Sequence, residues 1–134
     1  MPLARFHDTL KRARSHTDDT AEHAAVIDLL VLTVYADRRV AQGELDALEQ
    51  FDVDHADWDE KAFSILQYLP TAIAGVRNLR TPEDSDRFLV DAASRIVTPS
   101  LRAATVGYCR AMAEAGGSTE AESALVARIG EALA

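Results

Sequence analysis

The sequence predicts an all-α protein made of a single domain with about seven helices. Apolar residues recur at three- and four-residue spacing through most of the chain, and no segment alternates convincingly with a period of two. Residues that start helices, a hydroxyl or carboxyl side chain followed by proline or glutamate, occur at several points. No stretch rich in glycine, serine or proline is long enough to be a linker, so the 134 residues are expected to form one domain.

Residues 1–16 are predicted to form a short basic amphipathic helix. Its apolar positions are Leu3, Phe6, Leu10 and Ala13. The cationic residues off that stripe are Arg5, Lys11, Arg12 and Arg14. Such a helix presents either an ordinary solvated face or a contact surface for an anionic membrane, and its small cationic and apolar area favours the solvated face.

The second helix is predicted to start at Asp19, because Glu22 follows three residues later at the spacing of a capping box. Residues 24–36 are apolar on nearly every face, although Asp28 interrupts the run. This pattern is typical of a central helix that other helices surround. After a break, Glu44 opens a third helix with Leu45, Leu48 and Phe51 on one side.

Later helices follow from local start and stop signals. A fourth is predicted from Trp58 to Leu69, after which Pro70 either kinks it or opens a new helix. Thr81-Pro82 and Thr98-Pro99 each place a hydroxyl N-cap before a proline at the first helical position, so helices five and six start there. Gly116-Gly117 ends helix six. Ser118 or Thr119 caps the last helix, whose apolar stripe is Leu125, Val126, Ile129 and Leu133.

Residues 26–51 and 101–133 share one plan, which is an apolar helix, a short loop and a helix that opens near a glutamate. The aligned pairs include Leu32 with Cys109, Tyr35 with Met112, Glu44 with Glu122 and Phe51 with Ile129. Two such hairpins can pack face to face about a pseudo-twofold axis, each covering an apolar face of the other. The alternative is that two amphipathic hairpins align by chance.

Residues 29–48, LLVLTVYADRRVAQGELDAL, resemble the signature of the tellurite-resistance protein B (TerB-like) family. That signature is an apolar helix ending in Ala-Asp-Gly, a short loop and a glutamate that opens the next helix. Here Ala36 and Asp37 match it, Arg38 stands in the place of the glycine, and Glu44 is the glutamate. The resemblance implies a helical domain with two related hairpins over most of the chain, an acidic surface that binds metal, and a role in a bacterial tellurite or chemical stress response.

Charge and cysteine content exclude several functions. The formal net charge is −8 and the pI is near 4.9, which argues against a nucleic-acid binder, since such proteins neutralise phosphates with a basic face. The single cysteine, Cys109, excludes an intrachain disulfide and indicates a reducing, cytoplasmic setting. We expect Cys109 to be a buried structural thiol, and we assign the four histidines no role. The N-terminal segment lacks the apolar region of a signal peptide.

A carboxylate cluster is the sharpest candidate site. Asp37 follows one helix and Glu44 opens the next, while Glu114 and Glu122 hold related places in the second hairpin. Carboxylates that converge in this way suit a hard cation such as Ca²⁺ or Mg²⁺. The competing interpretation is that these acids are loop hydrogen-bonders and charges at helix N-termini.

A second candidate is the acidic stretch 44–60, which holds eight acids and no lysine or arginine. A docking face for a basic partner is predicted at Asp52, Asp54 and Asp57. The alternative is a purely structural one, in which the stretch is a solvated loop and Trp58 is a packing anchor.

From the sequence we expect a non-enzymatic interaction module. Its partner is expected to be a protein, either basic or a membrane-associated component of a stress response. Two other functions remain open at this point. One is a carboxylate-based, metal-assisted hydrolase, which needs an open coordination position and a water-activating base. The other is a homo-oligomeric structural protein, for example a homodimer that uses the first helix as its contact surface.

Overall fold

The computed structural model describes residues 21–36, 42–55, 58, 64–117 and 119–134, with only the backbone described for 42–45. All regular secondary structure in this part of the chain is helical, which confirms the all-α prediction. The predicted basic helix 1–16, the predicted cap Asp19 and the loop at 37–41 lie outside the described residues. No helix within the described ranges combines the length and the apolarity needed to cross a membrane.

Six helices make up the described structure. They are α1 (residues 21–34), α2 (Gln42–Asp54), α3 (Ile65–Arg77), α4 (Pro82–Arg95), α5 (Pro99–Ala115) and α6 (Glu120–Leu133). Helix α5 packs against α6 and against α2, and α4 packs against α6. The loops between α3 and α6 are short, and of the consecutive helices it is α5 and α6 that pack closely against each other.

Helix α1 is the centre of the core. Every residue from 25 to 34 is at most 5% exposed, including the polar Asp28 and Thr33. A helix buried on all sides must be apolar on all sides, which is the pattern that the sequence shows. The prediction of a central helix is therefore confirmed.

Glu22 in the first turn of α1 has a partner that the sequence did not indicate. Its Oε2 accepts hydrogen bonds from the backbone N–H of Val97 (3.0 Å) and Thr98 (2.8 Å), and its Oε1 accepts one from the Thr98 hydroxyl (3.0 Å). Thr98 is the N-cap residue of α5 and Pro99 follows it, as predicted, but the Thr98 hydroxyl makes no cap hydrogen bond, and that part of the prediction was wrong. The Thr98 hydroxyl donates to Glu22 because a buried carboxylate without hydrogen-bond donors is costly, whereas water can bind the N–H groups at the exposed helix end.

The other helix ends follow their local sequence. The Thr81 hydroxyl accepts from the N–H of Asp84 (3.1 Å) and caps α4. Thr119 and Glu122 form a complete capping box at the start of α6. Gly117, which follows α5, has a φ of +94°, a conformation that glycine adopts without strain.

Pro70 lies inside α3 and neither ends the helix nor opens a new one. The predicted bounds of Trp58 and Leu69 were wrong, because the helix starts after its N-cap Ser64 and runs to Arg77. Of the two roles predicted for Pro70, the opening of a new helix was also wrong, since the helix continues through this residue. Proline cannot donate to the carbonyl of Leu66, four residues earlier. Leu66 is 59% exposed and Pro70 is also exposed, so water can bind that carbonyl in place of the missing N–H.

Arg102 in α5 joins the C-terminal ends of two other helices. Its Nη1 donates to the carbonyls of Ala93 (3.1 Å) and Ile96 (2.6 Å) at the end of α4. Its Nε and Nη2 donate to the carbonyls of Leu133 (3.1 Å) and Ala132 (2.9 Å) at the end of α6. Helix C-termini carry unpaired carbonyls and partial negative charge, so one guanidinium caps both ends.

Replacing Arg102 with methionine should lower the free energy of unfolding by about 2–3 kcal/mol, because methionine keeps the aliphatic stem but donates to none of the four carbonyls. Urea denaturation followed by circular dichroism measures this. Arg110→Met is the matched control on the exposed side of α5, and we expect it to change stability by about 0.5 kcal/mol or less. Equal losses from the two variants would contradict the role of Arg102.

Candidate functional site

Of the four residues of the predicted metal site, two have side chains that the structure describes. Asp37 and the side chain of Glu44 lie outside the described residues. Glu114 is exposed near the end of α5. Glu122 is fully buried, and its Oε1 accepts from the Thr119 hydroxyl (3.0 Å). Its Oε2 is buried and has no hydrogen-bond partner among the residues that the structure describes.

Among the residues whose side chains the structure describes, histidine, cysteine, aspartate and glutamate form no group of three or more that could hold a metal ion. Since two of the four predicted ligands fall elsewhere, the cluster of Asp37, Glu44, Glu114 and Glu122 stays a prediction.

Two of the three predicted docking residues lie on α2. Asp54 is exposed and accepts a hydrogen bond from Gln50 Nε2 (2.8 Å), Asp52 is half-buried, and Asp57 lies outside the described residues. Two further exposed acids share the outer side of α2 with Asp54, namely Asp46 and Glu49. We call Asp46, Glu49 and Asp54 the acidic face.

The acidic face is a helical stripe. Asp46, Glu49 and Val53, which is 67% exposed, are separated by the three- and four-residue steps that place side chains on one side of a helix, and Asp54 follows Val53 at the edge of that side. The buried residues Leu48 and Phe51 lie on the opposite side. The spacing of Leu48 and Phe51 was visible in the sequence. It was the signal that could have identified Asp46 and Glu49 as residues on the opposite, outward side of the helix.

The inner side of α2 is held by an aromatic cluster. The rings of Phe51 and His55 stack with centroids 3.9 Å apart, and Tyr108 of α5 meets Phe51 edge-on at 5.0 Å. Trp58, 5% exposed, stacks on His23 of α1 at 3.9 Å. The expectation that Trp58 is a packing anchor is confirmed, and the cluster fixes α2 against α5 and α1.

His55 connects two helices through both ring nitrogens. Its Nδ1 lies 2.9 Å from the carbonyl of Phe51, and its Nε2 lies 3.1 Å from the Tyr108 hydroxyl. A carbonyl only accepts, so Nδ1 carries the proton, and in the neutral ring Nε2 accepts from the hydroxyl of Tyr108. The side chain thus has a structural role between α2 and α5.

A buried polar triad joins α1, α3 and α4. Tyr68 donates to Asp28 Oδ1 (2.8 Å), and Arg95 Nη2 pairs with Asp28 Oδ2 (2.6 Å). Asp28 is 4% exposed, so both of its oxygens are satisfied away from water. The interruption of an apolar run by one aspartate was the sequence signal for this site, but it did not reveal the partners.

The triad changes the acid–base behaviour of its members. Burial, together with the hydrogen bond to Asp28 and its charge, raises the pKa of Tyr68 from 10.0 to about 12. Burial lowers the pKa of Arg95, but the hydrogen bond and charge of Asp28 outweigh it, so that pKa lies above its ordinary value. Tyr68 therefore stays protonated, and Arg95 stays charged, at neutral pH.

Cys109 is fully buried in α5. Burial raises the pKa of its thiol to about 12, against the opposing effect of a hydrogen bond with Thr33 of α1. A thiol of this kind is a weak nucleophile, since the reactive form is the thiolate. The burial expected for this cysteine is confirmed.

A cleft of about 850 Å³ opens between four helices. The ends of α1 and α3, the start of α4 and one side of α6 form its walls. It contains three arginines, Arg77, Arg80 and Arg128, and the hydroxyls of Tyr35, Thr81 and Ser85. We call it the arginine cleft. The sequence did not reveal it, because Arg77 and Arg80 are neighbours in the chain but only the tertiary structure brings Arg128 of α6 beside them.

The cleft arginines differ in their partners. Arg128 forms an ion pair with Asp86 of α4. Within the described ranges, no carboxylate lies within 4.0 Å of the guanidinium of Arg77 or Arg80. The cleft therefore has two arginine charges that no described acidic side chain compensates.

Searches of protein-family models, curated proteins and solved structures find no match to this chain. The resemblance to the TerB-like family therefore stays a prediction from residues 29–48.

Replacing Asp28 with asparagine should lower the free energy of unfolding by about 2–4 kcal/mol, because it removes the buried carboxylate charge that pairs with Arg95 and accepts from Tyr68. Asp91→Asn is the matched control. Asp91 also pairs with Arg95 (3.3 Å), but its side chain is 71% exposed, and such pairs contribute about 0–1 kcal/mol. Chemical denaturation of both variants measures the difference, and similar losses would contradict the importance of the buried triad.

Proposed function

We propose that this chain is a non-enzymatic interaction module that docks a basic segment of a partner protein on the acidic face of α2. The observation that supports this most directly is the arrangement of Asp46, Glu49 and Asp54 on one exposed helical side with the apolar Val53 among them. Carboxylates around an exposed apolar side chain suit a partner that combines positive charge with a small apolar contact.

Charge and rigidity both favour such docking. Helix α2 contains no lysine or arginine, so no cation of the same helix competes with a partner. The net charge of −8 attracts basic segments from a distance and raises their association rate. The aromatic cluster beneath α2 holds the helix in place, which reduces the entropy lost on binding.

Neutralising the acidic face should weaken binding of a synthetic peptide of alternating arginine and alanine. In the triple variant Asp46→Asn, Glu49→Gln and Asp54→Asn, we expect the dissociation constant to rise about tenfold, since each exposed pair contributes about 0.5 kcal/mol. Fluorescence anisotropy at several salt concentrations measures both the affinity and its salt dependence, which should flatten in the variant.

The matched control is Glu83→Gln, Glu120→Gln and Glu131→Gln, which removes the same charge from exposed positions outside α2. It should bind the peptide nearly as the unmodified protein does. Equal weakening in both triple variants would show that only net charge matters, and the acidic face would then be discarded as a docking site.

The proposal includes a divalent cation at Asp37, Glu44, Glu114 and Glu122. The buried Oε2 of Glu122 supports it, since a buried carboxylate oxygen without a hydrogen-bond partner is costly unless something binds it. Ca²⁺ or Mg²⁺ is the fitting class of ion, because both prefer carboxylate oxygens.

A bound cation stabilises the native state, so Ca²⁺ or Mg²⁺ should raise the melting temperature. Asp37→Asn combined with Glu44→Gln should remove that shift, and so should Glu122→Gln. Glu83→Gln, on the exposed start of α4, should leave it unchanged. Identical melting with chelator and with saturating cation would rule the site out. Differential scanning calorimetry provides the measurement.

The wider assignment belongs to the same proposal. It places the chain in the TerB-like family, in a cytoplasmic tellurite or chemical stress response, with about seven helices and two hairpins related by a pseudo-twofold axis. Packing of α5 against both α6 and α2 supports the hairpin arrangement, since it joins a helix of each predicted repeat.

A further inference from the structure

We propose that the arginine cleft is a binding site for a small amphiphilic anion, in which a phosphate or carboxylate head pairs with Arg77 and Arg80 and an aliphatic body fills the rest. This site is separate from the acidic face, and the proposal is independent of the docking proposed there. It rests on the charge, the lining and the size of the cleft.

The charge of the cleft is opposite to that of the molecule. The chain has a net charge of −8 and only 14 lysines and arginines, yet three arginines line this one cleft. Asp86 pairs with one of them, Arg128. Arg77 and Arg80 are left to attract an anion, and guanidinium groups bind phosphate and carboxylate oxygens through two parallel hydrogen bonds.

The neighbouring acids do not cancel this charge. Asp84 Oδ2 accepts from the backbone N–H of Arg80 (3.2 Å), and Asp84 also donates its own N–H to the Thr81 hydroxyl. That carboxylate thus caps the start of α4, and its contact is with the main chain of Arg80. The binding groups we assign are therefore the guanidinium groups, rather than the N–H groups of the helix end.

The rest of the lining is largely apolar. Side chains of Leu32, Val76, Leu79, Pro82, Ala124 and Leu125 form it. Leu32, Val76 and Leu125 are already buried and form the floor, whereas Leu79, Pro82 and Ala124 retain exposed surface. Inorganic phosphate would leave that surface in contact with water, and an aliphatic chain would cover it. The volume of about 850 Å³ falls in the range of roughly 300–1,000 Å³ typical of small-molecule sites.

The test uses hexyl phosphate as the probe, with inorganic phosphate and hexanol as partial probes. Isothermal titration calorimetry should show binding of hexyl phosphate that is tighter than that of either partial probe, since only hexyl phosphate has both head and chain. The double variant Arg77→Gln and Arg80→Gln should weaken it about tenfold or more, as expected for the loss of charge-assisted pairs.

Two further variants make the result specific to the cleft. Arg87→Gln with Arg110→Gln removes the same charge from exposed arginines that do not line the cleft, and should leave binding unchanged. Ala124→Leu places a larger side chain into the apolar part without altering charge, and should also weaken hexyl phosphate binding. This variant keeps the test valid if the arginine variants lose stability.

A second arm identifies the source of the anion. Vesicles of phosphatidylcholine with phosphatidic acid present the same head and chain in a membrane, and sedimentation with them shows whether the cleft takes lipid. Cleft-dependent binding to vesicles supports a lipid ligand, and cleft-dependent binding of hexyl phosphate alone supports a soluble one. If neither probe binds, or if the cleft and control variants bind equally, the proposal is overturned. The acidic-face variants should not alter hexyl phosphate binding, so the two proposals fail separately.

Discussion

Complete burial of α1 is the constraint on which the rest of this structure depends. A helix with no face in water must have every polar side chain paired inside the protein, and α1 has several. Glu22 binds the loop between α4 and α5, Asp28 binds α3 and α4, and Thr33 donates to the carbonyl of Leu29 in its own helix (2.9 Å). Hydrophobic contact alone would let the surrounding helices slide, whereas these directional bonds fix where α3, α4 and α5 lie against the centre.

The outer helices are positioned by a second set of contacts at their ends. Arg102 holds the carbonyl ends of α4 and α6 together, and the aromatic cluster around Phe51 and His55 holds α2 against α5. Most of the polar side chains of the interior described above thus form hydrogen bonds that join one helix to another. The proposed recognition is carried instead by two surfaces at the outside of the described structure, the acidic face and the arginine cleft.

The two surfaces have opposite charge and different shape. The acidic face is a convex helix side, which suits a chain segment of a larger partner, whereas the arginine cleft is concave and suits a small ligand. Leu32, Tyr35 and Ala36 at the end of α1 line the cleft, directly before the predicted metal-binding residue Asp37. The same buried helix therefore leads to two of the proposed sites.

The sequence by itself determined where α4, α5 and α6 begin and which helix is central. Caps such as Thr81 and the Thr119–Glu122 box act within one helical turn, and burial of α1 follows from its own residues, so both are local properties. Only the tertiary structure decided the pairing of Asp28 with Arg95, of Glu22 with Thr98 and of the arginines across the cleft. The first two pairs are 67 and 76 residues apart, and no local pattern encodes which distant helix supplies the partner. The Thr98 hydroxyl shows the physical reason, because it donates to the buried carboxylate of Glu22, 76 residues away, and makes no cap hydrogen bond in its own helix.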